Sequence, residues 1–505
     1  MKSQITVFSH GFRVIVKSIH IYKITEDFNK RMSQWGFVKE PPRWRPVRKI
    51  IKSFIGKRKG GRECWYTRYA LDEFVEIVKR SGLEDSIEIT YVDPPEGLDV
   101  VYKRNDVKPP RDKQPELISK LSRRVPLTVT NLQTGKGKSL CSLEAMKNIG
   151  KRAMFQMKGG YIDKWIGDVN ELFDLENGDL LVVRGANQLS KLIQAALEGR
   201  LKAKIIYISN RTIHSYLKAY ETGIDFDYDC EPHELCEVLN IGLRVIDEVH
   251  EDFHLHARSN IYLNVKTIIA LSATLETDDN FLKGMYRIFL PYDTWHNPFE
   301  YDAYCGSVAL FYQTQDKGKE VSTMPGSTNY SHAAYEEWIF SNSRRRTNYL
   351  TLIASTVKHY FFDKDYASGM KCIIFCSRTE VCKEVSESLQ NIYPDLAVDF
   401  YISETDFKVL HLAEIIVTTV ESCGTAQDIP NVKTIILTRN IKRREKNEQI
   451  KGRARKLADF EGVTPVLVYF VNTDIKKHMD YHIAKLEQFK GKVKYHTTIR
   501  VDRKV

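Results

Sequence analysis

Short apolar, β-rich runs separated by longer mixed segments dominate the chain from about residue 126 onward. A first series reads PLTVTNL, KRAMFQM, DLLVV, AKIIYIS, GLRVID and KTIIALS. A second series reads KCIIFC, LAVDFY, EIIVTT, KTIILT and PVLVYFV, with helix-length spacers between the runs. Apolar runs that alternate with helical segments are typical of parallel sheets covered by helices. The pattern therefore predicts an α/β protein with two lobes in tandem.

Two regions lie outside these series. Residues 1–105 precede the first lobe and are predicted to form a small basic accessory domain. Residues 278–347 contain the loop-like segment MPGSTNYS and are predicted to be an inter-lobe linker with an insertion. The first lobe would then span 106–277 and the second 348–505. A chain of 505 residues is too long for one compact core, which favours several domains.

Composition indicates a class of partner and a compartment. The formal charge of +11 favours a polyanion, because each phosphate neutralised by Lys or Arg releases condensed counterions. The nine cysteines are scattered, as in proteins of a reducing cytoplasm. No segment approaches the roughly 20 apolar residues that span a bilayer, and the first residues lack a signal-peptide pattern. We therefore expect a cytoplasmic protein with no membrane partner.

The segment TVTNLQTGKGKSL places a glycine-rich turn after a β-like run and before a helix that begins near Ser139. Glycines let the backbone curl so that successive N–H groups face a phosphate. Lys138 would reach the β and γ phosphates, and the Ser139 hydroxyl would ligate Mg²⁺. Leu132 replaces the first glycine of the usual pattern. The predicted nucleotide-binding residues of this loop are Thr134, Gly135, Lys136, Gly137, Lys138 and Ser139.

A later apolar strand, GLRVID, runs into two adjacent carboxylates, Asp247 and Glu248. They would lie at the carboxyl edge of the sheet, where open α/β folds bind their ligands. Asp247 would hold Mg²⁺, and Glu248 would orient and deprotonate the attacking water. Together with the phosphate loop, the carboxylates predict an ATPase with ATP and Mg²⁺ as cofactors.

The sequence Asp247–His250 resembles the DExH box of superfamily 2 helicases, and Ser272–Thr274 resembles their third motif. The resemblance, which covers about residues 110–460, implies two RecA-like lobes with parallel sheets and a nucleic-acid-dependent ATPase or helicase activity. It also implies that His250, Ser272 and Thr274 couple hydrolysis to movement.

Two segments of the second lobe are also similar to this family. QIKGRARK resembles motif VI, whose arginines supply cations to the transferring phosphoryl group. This implies that Arg453 is the first finger, and that Arg455 or Lys456 is the second. Gln449 would link the nucleotide state to lobe closure. ESCGTAQDIPNV resembles motif V, and its implied nucleotide contacts are Gly424 and Asp428.

The resemblance also implies contacts with adenine and with a nucleic-acid strand. Arg111–Gln114 is similar to an adenine-contacting element, in which the Gln114 amide would both donate to and accept from the base. A motor that tracks a strand contacts phosphates, which carry no sequence information. The implied strand contacts are Lys158, Gly159, Asn210, Arg211, Thr212, Ser377, Arg378 and Thr419.

The densest basic cluster, RWRPVRKIIKSFIGKRKGGR, spans Arg43–Arg62 in the N-terminal region. Aromatic residues lie within or near it, which suits phosphate contact combined with base stacking or a wedge at a junction. A solvated, solubilising face is the alternative. The candidate nucleic-acid contacts of this cluster are Arg43, Trp44, Arg45, Arg48, Lys49, Lys57, Arg58 and Lys59.

Within the family, the chain most resembles phage-encoded branch-migration DNA helicases of the UvsW type, through its length, its basic N-terminal region and its NLQTGKGKSL loop. That implies a monomer in the host cytoplasm that remodels forked, four-way or single-stranded DNA in replication, recombination or repair. An RNA helicase or duplex-RNA translocase is the alternative, because QIKGRARK also resembles motif VI of duplex-RNA sensors. An ATP-gated clamp without unwinding is a third hypothesis, although such a clamp would not need Glu248.

Overall fold

The computed structural model describes residues 2–40, 45–57, 62–107, 109–314, 330–402, 405, 408–422, 429–457 and 459–505. These residues form two compact units, Met1–Phe299 and Glu300–Val505. Among the helices of the described ranges, none combines the length and the apolar character needed to cross a bilayer.

The first unit begins with a mixed sheet, two helices and a separate hairpin. Its elements are β1 (Ser3–Val7), β2 (Gly11–Ile15), α1 (Ile19–Arg31), β3 (Ser33–Glu40), β4 (Arg45–Ser53), β5 (Gly56–Lys57), β6 (Glu63–Thr67), α2 (Leu71–Arg80) and β7 (Ile87–Tyr91). In the described part of this region, the sheet has the order β5-β6-β2-β1-β7. Strands β3 and β4 pair antiparallel as a hairpin outside that sheet.

The first unit continues with a parallel sheet flanked by helices. Its elements are β8 (Lys103–Arg104), α3 (Gln114–Leu121), β9 (Leu127–Asn131), α4 (Lys138–Ile149), β10 (Ala153–Met157), α5 (Ile162–Leu172), β11 (Phe173–Asp174), β12 (Leu180–Val183), α6 (Ala186–Leu197), β13 (Ile205–Ser209), α7 (Asn210–Thr222), α8 (Leu235–Val238), β14 (Leu243–Ile246), α9 (Phe253–Tyr262), β15 (Thr267–Ser272) and α10 (Asn280–Phe289). Over the described strands the order is β12-β13-β10-β14-β15-β9, and every pairing is parallel. The carboxyl ends of β9, β10 and β14 therefore share one edge.

The N-terminal mixed sheet packs directly on α9 of the parallel-sheet region. Gly11 in β2 faces the main chain of this helix, and a Cβ at that position would overlap the carbonyl oxygen of Ile261. The apolar core is continuous from the mixed sheet, including Ile5 and Phe12, to Ile261 and Tyr262 of α9. The N-terminal region is thus built into the first unit.

This packing leads to a stability prediction for Gly11→Ala. The added methyl group must displace main chain, so we expect the free energy of unfolding to fall by about 1–3 kcal/mol. Gly167→Ala is the matched control, because nothing lies near that exposed position in α5 and Ala favours a helix by up to about 1 kcal/mol. Urea unfolding followed by circular dichroism measures both. Equal losses in the two variants would contradict the described packing.

The second unit is built on another parallel sheet. Its elements are β16 (Gly306–Gln313), α11 (His332–Phe340), α12 (Ser343–Val357), β17 (Lys371–Cys376), α13 (Thr379–Ile392), β18 (Val398–Tyr401), α14 (Val409–Leu412), β19 (Ile415–Thr419), β20 (Val432–Leu437), α15 (Arg444–Lys451), β21 (Val466–Asn472), α16 (Lys476–Phe489) and β22 (His496–Lys504). Across the described residues the order is β18-β19-β17-β20-β21-β16-β22, with parallel pairing throughout. The predicted fold class, α/β with two RecA-like lobes, is confirmed.

The stretch 278–347, predicted as a connection, contributes regular structure to both units. Helix α10 belongs to the first unit, and β16 pairs with β21 and β22 inside the second sheet. The run GSVALFYQ is fully apolar at its centre, yet its strand partners come from the far end of the chain. A short apolar run with distant partners carries no local sign of the sheet that it joins.

Candidate functional site

The predicted phosphate loop leads from β9 into α4. Gly135 and Gly137 have positive φ angles of 88° and 85°, which only glycine adopts without strain, and Gly137 caps α4. The buried Gln114 amide donates to the Lys136 carbonyl at 3.0 Å and accepts from the Arg111 N–H at 3.0 Å. A Cβ on Gly137 would overlap the Gln114 amide nitrogen. Gln114 therefore sets the shape of the loop, and its contact with adenine stays a prediction.

The Asp247–His250 box meets the phosphate loop at the carboxyl edge of the sheet. The Lys138 Nζ atom lies 2.5 Å from the Glu248 Oε1 atom. Glu248 has a φ of +47°, a left-handed conformation that a non-glycine residue adopts at a cost, and its N–H donates to Asp247 Oδ1 at 3.0 Å. The Trp165 indole N–H donates to Asp247 Oδ2 at 2.8 Å. Both carboxylates are thus held by specific partners.

The two carboxyl groups have opposite pKa shifts. Burial, followed by the neighbouring Glu248 carboxylate, raises the pKa of Asp247 to about 6. Burial also opposes ionisation of Glu248, but Lys138 and then His250 outweigh it and hold the Glu248 pKa below its usual value. Glu248 is accordingly the more readily ionised member of the pair, and it is the better candidate for accepting a proton.

His250 joins the box to the Ser272–Thr274 segment at the end of β15. Its Nδ1 atom lies 2.8 Å from the Ser272 Oγ atom, and its Nε2 atom lies 3.2 Å from the Thr274 Oγ1 atom. The Thr274 N–H also donates to the Ser272 hydroxyl at 3.0 Å. The residues predicted to couple hydrolysis to movement therefore form one hydrogen-bonded group.

These residues fit a nucleoside triphosphate with Mg²⁺. The first turn of α4 follows two left-handed glycines and presents backbone N–H groups, as phosphate-binding loops do. Lys138 supplies a cation beside them. The Glu248 Oε2 atom is buried, has no hydrogen bond to any described residue and lies 3.4 Å from the His250 Nδ1 atom. Ser139 in the first turn of α4 and Asp247 are the oxygen donors that would hold Mg²⁺.

The predicted strand-contacting residues of the first unit follow β10 and β13. Lys158 and Gly159 come directly after β10, and the Lys158 side chain is 44% exposed. Asn210, Arg211 and Thr212 form the first turn of α7, with Arg211 exposed and the other two buried. The Thr212 hydroxyl accepts the N–H of the residue that precedes α6 at 2.8 Å. It is therefore bonded within the fold.

In the second unit, the predicted contacts Ser377 and Arg378 follow β17. Their N–H groups donate to the Glu336 carboxylate of α11 at 2.9 and 3.1 Å, and Glu336 is completely buried. Thr419 ends β19 and donates its hydroxyl to the Ser422 hydroxyl at 2.8 Å. The loop after β17 is thus held in place by a buried acid.

Glu336 leads to a prediction on pH and stability. Burial raises its pKa to about 7, although the N–H groups of Ser377 and Arg378 lower it in part. A carboxyl whose folded pKa exceeds its unfolded value of about 4.3 stabilises the fold fully below that value, and this contribution is lost as the pH rises through 7. Between about pH 4.3 and 7, the unfolding free energy measured by urea titration should therefore fall less steeply in Glu336→Gln than in the wild type. The neighbouring, exposed Glu337→Gln is the control, and an equal change of slope would contradict the assignment.

Motif VI lies at the end of α15. Gln449 is within this helix, and Arg453 follows it with only 7% of its surface exposed. The Arg455 Nε group donates to the Gly452 carbonyl at 3.2 Å. The motif V residues Gly424 and Asp428 lie outside the described residues.

Part of the basic N-terminal cluster lies on strand β4 of the β3–β4 hairpin. Lys49 is exposed on β4, and exposed Trp35 pairs across the hairpin with Ile50. For three cluster residues in strands the structure describes the backbone only, namely Arg45, Arg48 and Lys57. Four others lie outside the described residues, namely Arg43, Trp44, Arg58 and Lys59.

Sequence reasoning missed two residues, one in each unit, whose side chains fix predicted functional residues in place. Trp165 lies in α5 and contacts Asp247 from far along the chain, and Glu336 holds the loop after β17 in the same way. Both are in helices whose pattern predicts only which face is buried, so no local signal marks their partners.

No protein-family model matches the sequence, and no curated protein matches it. Solved structures share its fold. Dbp5 from S. cerevisiae bound to RNA and ADP BeF3 is 12% identical with a TM-score of 0.50, and the alignment covers 78% of this chain and 90% of that chain. At this identity the likeness is one of fold alone.

Two further solved structures align with most of this chain. A fragment of a putative HsdR subunit of a type I restriction enzyme from Vibrio vulnificus is 14% identical, with a TM-score of 0.48 and coverage of 96% of this chain and 83% of that one. The Hef helicase domain of Pyrococcus furiosus is 12% identical, with a TM-score of 0.40 and coverage of 74% and 98%.

Proposed function

We propose that this chain hydrolyses ATP and uses the reaction to move along nucleic acid. The observation that carries the proposal is the 2.5 Å contact between Lys138 and Glu248. It joins a glycine-rich loop at a helix N-terminus to a carboxylate pair at the ligand-binding edge of a parallel sheet. His250 then links that pair to the Ser272–Thr274 segment.

In the proposed reaction, Lys138 moves from Glu248 to the β and γ phosphates, which leaves both Glu248 oxygens for the attacking water. Glu248 accepts the proton of that water. Trp165 keeps Asp247 oriented through its indole N–H. When bound by Ser139 and Asp247, Mg²⁺ supplies positive charge that neutralises the phosphates.

We assign the other nucleotide contacts by resemblance. Arg453 supplies positive charge to the transferring phosphoryl group, with Arg455 or Lys456 as the second cation. Gln449 links nucleotide state to lobe closure. Gln114 contacts adenine through the part of its amide that the loop leaves available, and the motif V contacts are Gly424 and Asp428.

Branched DNA is the substrate that we propose, which makes the chain a monomeric fork or four-way-junction remodeller in replication, recombination or repair. The net charge of +11 and the basic β3–β4 hairpin with its exposed Trp35 support phosphate contact and base stacking. RNA is the second candidate, because the structural neighbour Dbp5 is bound to RNA.

One comparison of substrates tests this function. ATP hydrolysis and strand movement are measured with labelled DNA forks, four-way junctions, single-stranded DNA and duplex RNA, beside Lys138→Ala. Junction or fork remodelling that needs ATP and Lys138 supports the proposal. Movement on RNA alone would show that RNA and not DNA is the substrate, because A-form duplexes are recognised by shape and 2′-hydroxyls. Turnover without movement on any substrate would leave an ATP-gated clamp.

A further inference from the structure

Two acidic residues directly after the Asp247–His250 box each contact a different segment of the first unit. Glu251 accepts hydrogen bonds from Lys158 Nζ at 2.7 Å and from the Tyr161 hydroxyl at 2.8 Å. Asp252 accepts from the Asn210 side-chain amide at 2.7 Å. Lys158 begins the loop after β10 and Asn210 begins α7, and both segments are proposed to contact the strand. The two acids therefore link both segments to the catalytic box.

The Glu251 contacts form an arrangement from which Lys158 is easily displaced. The Glu251 side chain is 8% exposed, whereas the Lys158 side chain is 44% exposed. Because the Lys158 side chain is partly exposed, a strand phosphate can reach its ammonium group and compete with Glu251 for it. The Tyr161 hydroxyl continues to donate to Glu251 when Lys158 leaves, which keeps the buried carboxylate hydrogen-bonded.

Asp252 occupies a capping position without performing its usual role. It precedes α9 as the N-cap residue, where Asp ordinarily accepts an N–H of its own helix. Its side chain makes no such bond and instead accepts from Asn210. Asn210 is 6% exposed, so this amide is held at a buried position at the start of α7. Asp252 therefore makes no capping bond within α9, and it bonds instead to Asn210, which is predicted to contact the strand.

The same segment is tied to the catalytic residue through the main chain. The Glu251 N–H donates to the Glu248 carbonyl at 2.9 Å, and the Val249 N–H donates to the Leu271 carbonyl at 2.9 Å. Glu248 itself has the left-handed conformation described above. One tight turn therefore links the Glu251 backbone directly to the Glu248 carbonyl.

We propose that Glu251 and Asp252 are positioning residues that couple strand binding to the catalytic Glu248. The route rests on the proposed function: a strand phosphate draws Lys158 from Glu251, and the Glu251 carboxylate, still bonded to Tyr161, shifts the turn that carries Glu248. Through its bond to Asn210, Asp252 holds the start of α7 in place beside the same turn.

Glu251→Gln separates coupling from a purely structural role. The variant keeps an acceptor for Tyr161 but loses the ion pair, so Lys158 is free for phosphate. We expect the affinity for single-stranded oligonucleotide to rise by about twofold to fivefold. We expect the stimulation of ATP hydrolysis by that oligonucleotide to fall by at least about fivefold. A structural defect would lower both quantities together.

Asp252→Ala tests the second contact without removing a capping bond, because Asp252 makes none. It should reduce stimulation by at least about fivefold. Thermal unfolding should shift to a slightly lower temperature, because the buried Asn210 amide loses its acceptor. The control is Glu237→Gln, an exposed acid on α8, which should change neither affinity nor stimulation.

The outcomes distinguish this inference from the proposed function. Full stimulation in Glu251→Gln, or a joint loss of affinity and stimulation, would overturn the coupling role while the ATPase assignment stands. A wild-type protein that hydrolyses ATP but is not stimulated by DNA or RNA would overturn the inference together with the proposed motor function.

Discussion

Replacing Lys138 by Ala is expected to abolish ATP hydrolysis while leaving nucleic-acid binding largely intact. The substitution removes the cation that lies 2.5 Å from Glu248 and that we propose to reach the phosphates. Loss of one preorganised charged donor costs about 100-fold or more in turnover. The predicted strand-contacting residues lie in other loops of the fold, so oligonucleotide affinity should change little. Phosphate release and fluorescence anisotropy measure the two properties.

A matched control for this variant is Lys147→Ala, which removes a partly exposed lysine from the far end of the same helix. It should retain full turnover. Nucleic-acid-stimulated hydrolysis that survives in Lys138→Ala would refute the assignment of the active site.

Glu248→Gln is expected to reduce turnover by about 10²- to 10⁴-fold while ATP still binds. Gln keeps the size of the side chain and an oxygen acceptor, but it cannot take a proton from water. The pKa of Glu248 is held below its usual value chiefly by Lys138, so the group is ionised and able to act as a base. Single-turnover hydrolysis and binding of a fluorescent ATP analogue separate the chemical step from affinity.

Glu237→Gln on α8 is the control for the loss of one exposed carboxylate from the same unit. It should match the wild type in both assays. An equal loss of nucleotide affinity and turnover in Glu248→Gln would instead assign the residue to binding.

The sequence predicts the architecture wherever the signal lies within one short segment, as hydrophobic periodicity and turn residues do. Apolar runs separated by helical segments predicted both parallel sheets, and the glycines at 135 and 137 predicted the turn into α4. Strand β16 differs because its partners, β21 and β22, come from the end of the chain. Pairing between strands so far apart in the chain depends on tertiary packing, so the residues of β16 do not predict its partners.

Some contacts of the candidate site were likewise predictable from the sequence, whereas others required the fold. The proximity of Lys138 and Glu248 was predictable, because both follow strands whose carboxyl ends share an edge. Trp165 and Glu336 were not, since each is a helix residue whose partner is set by how that helix packs. The acids Glu251 and Asp252 follow the box directly, yet their contacts with Lys158 and Asn210 required the fold.

Phosphate release by the wild-type protein, measured with and without nucleic acid beside Glu248→Gln, tests the central claim most directly. We predict hydrolysis that single-stranded or branched DNA stimulates and that Glu248→Gln abolishes at every nucleic-acid concentration. Wild-type hydrolysis no faster than that of Glu248→Gln on every DNA and RNA substrate would contradict the claim.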